Sequence, residues 1–221
     1  MDISAIMHEI YTARWTLWGG LLTTLEISAI AISAGTLAGV MIGIGLAYGP
    51  LVLRVLLRGY VDLVRGIPSL VLIFFCFYGT ALLGLNLSAF AAGVFALGLF
   101  CAAHIGELTR GAVQSIPQAQ TDAAKSIGLG FWRRLVYAIL PQALRRVLPG
   151  WVNIAAEIVK GSTLLSLIGV VELLLATQQA IARTFLILEF YLALIVVFFI
   201  INFAISRAGA LLERRMAYVR F

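Results

Sequence analysis

Long apolar runs without alternation constrain this chain more than any other feature. Five of them, roughly Trp15–Ala47, Gly59–Leu83, Ser88–Thr109, Val147–Thr177 and Leu186–Leu212, carry few charges. A helix needs roughly 20 apolar residues to cross a hydrocarbon core of ~30 Å, and every run reaches that length. Lipid offers no hydrogen-bond partner to the backbone, so a spanning segment is a helix or a strand of a closed barrel. Barrel strands alternate apolar and polar residues, and these runs do not. The expected fold class is all-α, a polytopic membrane helix bundle with about five transmembrane helices. Composition agrees, with 62% of the 221 residues hydrophobic and 12% charged, against about 45–50% and about 25% in soluble domains. The length suits a single domain over residues 1–221. No cleavable signal peptide is evident, because residues 1–14 lack a basic start followed by a short apolar core.

In such a chain the net charge of +6 reads as an orientation signal rather than as a nucleic-acid footprint. Arg54, Arg58 and Arg65 flank the start of the second run; Arg110, Lys125, Arg133, Arg134, Arg145 and Arg146 lie between the third and fourth; Arg207, Arg214, Arg215 and Arg220 close the chain. Only Arg14 and Arg183 fall near the other side. The positive-inside rule then places the C-terminus in the cytoplasm, and an odd number of spans places the N-terminus outside. Tyr11, Trp15 and Trp18 suit an interfacial anchor at the outer end of the first span. Within that span Gly35, Gly39 and Gly43 repeat every fourth residue on one face, which lets another helix approach closely. Cys76 and Cys101 fall inside spans and read as small apolar packing groups.

The stretch Thr121–Leu144 is polar and basic where its neighbours are apolar. Pro117 breaks the helix leaving the third span. Gln118–Ile127 can form a short helix with Gly128 as its stop, and Phe131–Leu140 a second, amphipathic helix that Pro141 interrupts. A short helix projecting from the membrane and ended by glycine has the shape of a docking element. The bland alternative is a helix lying on lipid headgroups.

Asp122-Ala123-Ala124, followed after three residues by Gly128 and later by Leu140-Pro141, resembles the docking loop of binding-protein-dependent ABC importer permeases. That loop runs Glu-Ala-Ala, Gly, Ile-x-Leu-Pro; here Asp122 stands for the Glu and Ala138 for the Ile. Val64-Arg65-Gly66-Ile67-Pro68-Ser69-Leu70-Val71, His104–Gly111, Ser115-Ile116-Pro117 and Lys160 with Ser162-Thr163-Leu164-Leu165-Ser166 are similar to further stretches of the polar amino-acid subfamily. His104 replaces a usual Tyr, and Gly161 an acidic residue common there. The resemblance covers about residues 19–215, with the coupling loop at about 112–146. It implies the type I ABC importer permease fold and a multi-pass subunit of the bacterial inner membrane that moves a polar amino acid. It also implies partners: a dimer of ATP-binding subunits, a second permease chain, identical or homologous, and an extracytoplasmic solute-binding protein. Asp122, Ala123, Ala124, Lys125 and Gly128 would couple to the ATPase. ATP-Mg would sit in that partner, since this chain has no Gly-x-x-x-x-Gly-Lys-Ser/Thr loop, no evident nucleophile–base pair and no cofactor or metal cluster. The other readings are a self-contained channel or secondary transporter, and a permease of another ABC class, for methionine or a metal.

Charges inside spans are expensive, about 2.5–3.5 kcal/mol each on insertion scales. Glu107 either pairs with Arg110 one turn away or faces a water-filled path and holds a substrate ammonium. Lys160 either pairs with Glu157 or lines the same path, to which Ser162 and Thr163 would add hydroxyls.

Overall fold

The computed structural model describes residues 3–216; Asp2 and Arg220 lie outside the described residues. Among these residues it contains helices and turns and no strand. The helices are α1 (Ile3–Tyr48), α2 (Leu51–Gly66), α3 (Ser69–Leu82), α4 (Ala89–Gln114), α5 (Gln118–Ser126), α6 (Phe131–Ile168), α7 (Leu173–Thr184) and α8 (Ile187–Met216). Four of them, α1, α4, α6 and α8, are long and apolar enough to cross a membrane, and α2 with α3 supplies a fifth if the pair forms one broken span.

Three expected boundaries are corrected. The second span is not one helix over Gly59–Leu83. Pro68 has no N–H to donate, and it forces Ile67 into an extended conformation (φ −106°, ψ 148°). The fourth span does not run to Thr177: it ends at Ile168, where Gly169 takes φ +86°, and α7 starts afresh at Leu173. Pro141 does not interrupt α6. A π-turn at Leu135–Ile139 precedes it and shifts the hydrogen-bond register where a proline would otherwise leave a carbonyl unmet.

Contacts group the chain into two units, each built from separated segments: Met1–Ile32, Pro68–Gly98 and Ala156–Ile205 in the first, Ser33–Ile67, Leu99–Ala155 and Ser206–Phe221 in the second. In the second unit, the glycine face of α1 meets α4. A Cβ on Gly39 would stand 2.6 Å from Ile105 Cβ and 2.9 Å from Ala102 O, and one on Gly43 would stand 2.7 Å from Gly106 O. Only glycine permits that approach. Trp151 of α6 donates its indole N–H to Thr36 Oγ1 at 2.8 Å. Ala112, Val113, Ile116, Leu135, Ile139, Ala143 and Val147 form a buried cluster that fixes the start of α6 beside the end of α4. In the first unit, Ala180, Leu186 and Phe190 close around Ala13 and Leu17. Cys76 and Cys101 are buried, and neither forms a disulfide among the described residues.

Candidate functional site

Helix α5 is the short element between α4 and α6. Pro117 precedes it in an extended conformation (φ −57°, ψ 138°), and Gly128 closes it at φ +78°. The Gly128 N–H donates to Lys125 O at 2.8 Å and the Leu129 N–H to Ala124 O at 3.1 Å. This double bond pattern terminates a helix and requires a left-handed residue. The expected glycine stop is therefore present, with its backbone state. Asp122 accepts from Gln118 Nε2 and from Lys125 Nζ, both at 3.2 Å, and its side chain stays 57% exposed.

The two alanines divide. Ala123 is exposed, whereas Ala124 is 6% exposed, on a helix packed against the Leu135–Ile139 turn. The outward surface of the insert is thus Asp122, Ala123 and Lys125, joined by residues that the sequence pattern alone did not single out. Ile127, Trp132 and Tyr137 are 76%, 72% and 74% exposed. Apolar residues exposed beside a charged helix signal a contact surface. They escaped notice because amphipathic periodicity assigns such residues to an inner face.

Glu107 sits in a cage of arginines. Its Oε1 accepts from Arg110 Nη2 at 2.6 Å; its Oε2 accepts from Arg110 Nε at 2.9 Å and from Arg58 Nη1 at 3.1 Å. Arg65 Nη1 stands 4.0 Å from Oε1. The pairing with Arg110 is present, and Arg58 and Arg65 are partners that no helical spacing announces. Glu107 also lines a cavity of about 490 Å³ with Arg65, His104, Arg110, Arg146 and Ser115; it faces open space as expected, but with both oxygens engaged by arginines rather than held open for an ammonium. His104 stacks on Phe100 with ring centroids 4.1 Å apart, and its Nδ1 lies 2.9 Å from Phe100 O.

Lys160, Ser162 and Thr163 belong to the first unit, Glu107 to the second. Ser162 is fully buried and donates to Val159 O at 2.8 Å; Thr163, part-exposed, donates to Lys160 O at 2.7 Å. Glu157 and Lys160 are both exposed, and no ion pair joins them among the described residues. Two charges left open on a spanning helix call for water or a partner surface.

Glu172 is a buried acid that the sequence pattern did not single out. It is 0% exposed and caps α7, accepting from the N–H groups of Leu174 and Leu175 at 2.8 Å each. The neighbouring Leu173 N–H donates to Thr24 Oγ1 of α1 at 3.1 Å. Three otherwise orphaned helix donors are thereby met. Burial pushes the carboxyl up from the ordinary 4.5 to about 7, the two backbone donors working against the rise.

Comparison with known proteins was consistent along nearly the whole chain. Residues 35–218 match the family described as binding-protein-dependent transport system inner membrane component. The chain is 34% identical over 214 residues to the glutamine transport system permease protein GlnP of Escherichia coli K12, covering 96% of this chain and 94% of that one. It superposes with a TM-score of 0.86 and 28% identity on a chain of an amino acid ABC transporter crystallised with histidines, covering 97% of this chain and 99% of that one. Against the inward-facing MetNI methionine ABC transporter the TM-score is 0.79 at 19% identity, covering 93% and 97% of the two chains; that likeness concerns the fold.

Proposed function

We infer the function from one premise: this chain belongs to the binding-protein-dependent transport system inner membrane component family. It is an inner-membrane, multi-pass permease of an ABC importer, and its cargo is a polar amino acid. Family membership and the amino-acid permeases among its relatives support this over a self-contained channel or secondary transporter. The 19% likeness to the methionine system gives no ground for methionine as cargo.

The finer assignment rests on the insert. Asp122, Ala123 and Lys125 lie on the outer surface of a helix stopped by Gly128, amid exposed Ile127 and Trp132. That surface docks a partner ATPase, whose dimer binds and hydrolyses ATP-Mg; this chain contributes no ATP site. Ala124 acts from the inside, setting how closely α5 lies on α6. The docking side is cytoplasmic, with the C-terminus, and the N-terminus is outside, where a solute-binding protein delivers cargo. A second permease chain, identical or homologous, completes the pathway. Lys160 and Thr163, open on α6, line the path, with Ser162 behind them. Within the second unit, Glu107 contributes at its own cavity by organising arginines.

Co-expression with its genomic neighbours tests this reading. A nucleotide-binding ATPase should co-purify with the wild-type chain, and its hydrolysis should rise when an amino-acid-loaded solute-binding protein is added. If the chain transports amino acids without any ATPase, the reading fails.

A further inference from the structure

We propose that the cavity beside Glu107 is an oxyanion site, built to hold a carboxylate or phosphate head between Arg65 and Arg146. The donor inventory carries this. Arg110 uses its three nitrogens on Glu107 and Gln114. Glu107, the one acid lining the cavity among the described residues, is already engaged by Arg110 and Arg58. Arg65 is left 4.0 Å from it, an attraction too long for a hydrogen bond. Arg146 spends a single nitrogen, Nη1, on the carbonyl and hydroxyl of Ser115. Two guanidiniums with donors to spare therefore line one space, which carries three arginines against one carboxylate.

A guanidinium fork matches the geometry of carboxylate and phosphate alike, and about 490 Å³ lies within the roughly 300–1,000 Å³ of small-ligand sites. Two sources supply this chemistry. One is the phosphate of an anionic lipid, since basic pockets among membrane helices take lipid heads. The other is the carboxylate of a free amino acid. The competing explanation is that Arg65 and Arg146 are independent, hydrated orientation charges. The proposal does not depend on the transport assignment.

The test is modification of arginines by phenylglyoxal, read peptide by peptide, on the full chain in nanodiscs. Three conditions are compared: phosphatidylcholine alone, phosphatidylcholine with phosphatidylglycerol, and phosphatidylcholine with N-acetylglutamine, which has a carboxylate and no ammonium. Arg54, which does not line the cavity, is the reference. Arg65 and Arg146 should both be protected about tenfold relative to Arg54, the scale of one charge-assisted hydrogen bond. Protection by phosphatidylglycerol identifies the lipid source and protection by N-acetylglutamine the carboxylate source. In Arg65→Gln, protection of Arg146 should disappear, because the two act on one head group. Protection no greater than at Arg54 with either probe would overturn the proposal, as would Arg146 protection that survives Arg65→Gln.

Discussion

Replacing Gly128 by valine isolates the geometry of α5 from everything else in the chain. Gly128 holds φ +78°, and nothing lies within 4 Å of a Cβ built on it. The substitution therefore meets no clash with other elements, and its whole cost is conformational. A left-handed backbone costs an L-residue about 1–2 kcal/mol, and about 1–3 kcal/mol is the range for such strained positions, with β-branched residues at the upper end. At 1.4 kcal/mol per tenfold, the native end of α5 should lose population by roughly 5- to 150-fold. The two closing hydrogen bonds, Gly128 N to Lys125 O and Leu129 N to Ala124 O, would go with it. The buried cluster around Leu135 and Ile139 does not include Gly128, so membrane insertion and yield should stay normal. The assay is amino-acid uptake into proteoliposomes containing the chain and its ATPase, beside a pull-down of the ATPase. Gly128→Val should lose most uptake and hold the ATPase weakly, whereas Gly128→Asn should keep much of it, because asparagine tolerates the left-handed state. Wild-type uptake by Gly128→Val would refute the reasoning. Equal damage from Asn and Val would show that φ is not the cause.

Other perturbations test separate parts of the structure. Glu107→Gln leaves Arg58, Arg65 and Arg110 facing one another, so thermal unfolding in detergent should show a loss of about 1–3 kcal/mol, less than for a fully buried pair. An unchanged Tm would mean that the cage is not structural. Ala123→Arg, on the exposed surface of α5, should abolish ATPase binding without lowering stability, whereas Ala124→Arg should destabilise the second unit; identical behaviour of the two in pull-down and unfolding would erase the division between them. Glu172 has its carboxyl raised from 4.5 to about 7 in the folded chain, so the folded state binds the proton more tightly. Its stabilising contribution is full below about pH 4.5 and is lost as pH rises to about 7, on the order of 3 kcal/mol at about 1.4 kcal/mol per unit. Unfolding followed over that range should show the fall in wild type and a flatter profile in Glu172→Gln; parallel profiles would exclude Glu172 as the cause. A single cysteine at Asn86 should react with an impermeant reagent from outside and one at Ser126 only after permeabilisation; the reverse pattern would invert the topology.

Much of the architecture was legible because bilayer length and polarity leave few options. The apolar runs gave the spanning helices, and the spacing of Gly39 and Gly43 announced a close helix approach, though not that α4 is the partner. The breaks were harder. Pro68 and Pro141 are chemically alike, yet one separates α2 from α3 and the other is absorbed by a π-turn, a choice made by hydrogen-bond register several residues away. Gly169 ended the fourth span inside a run whose hydropathy gave no warning. At the candidate site, the 3.6-residue period links Glu107 to Arg110, but Arg58 and Arg65 reach it through tertiary folding. The inward turn of Ala124 and the outward turn of Ala123 likewise depend on where α6 lies. Glu172 was visible as a residue and invisible as a cap, because the α7 start exists only once Gly169 has broken the preceding helix.

Coupled uptake tests the central assignment most directly. The purified chain, reconstituted with its co-encoded ATPase, enclosed ATP-Mg and an external solute-binding protein, should accumulate a labelled polar amino acid. Uptake should require ATP and the binding protein together, and it should stop when the ATPase cannot hydrolyse. Equal accumulation without ATP, or by this chain alone, would contradict the assignment of an ATP-driven importer permease.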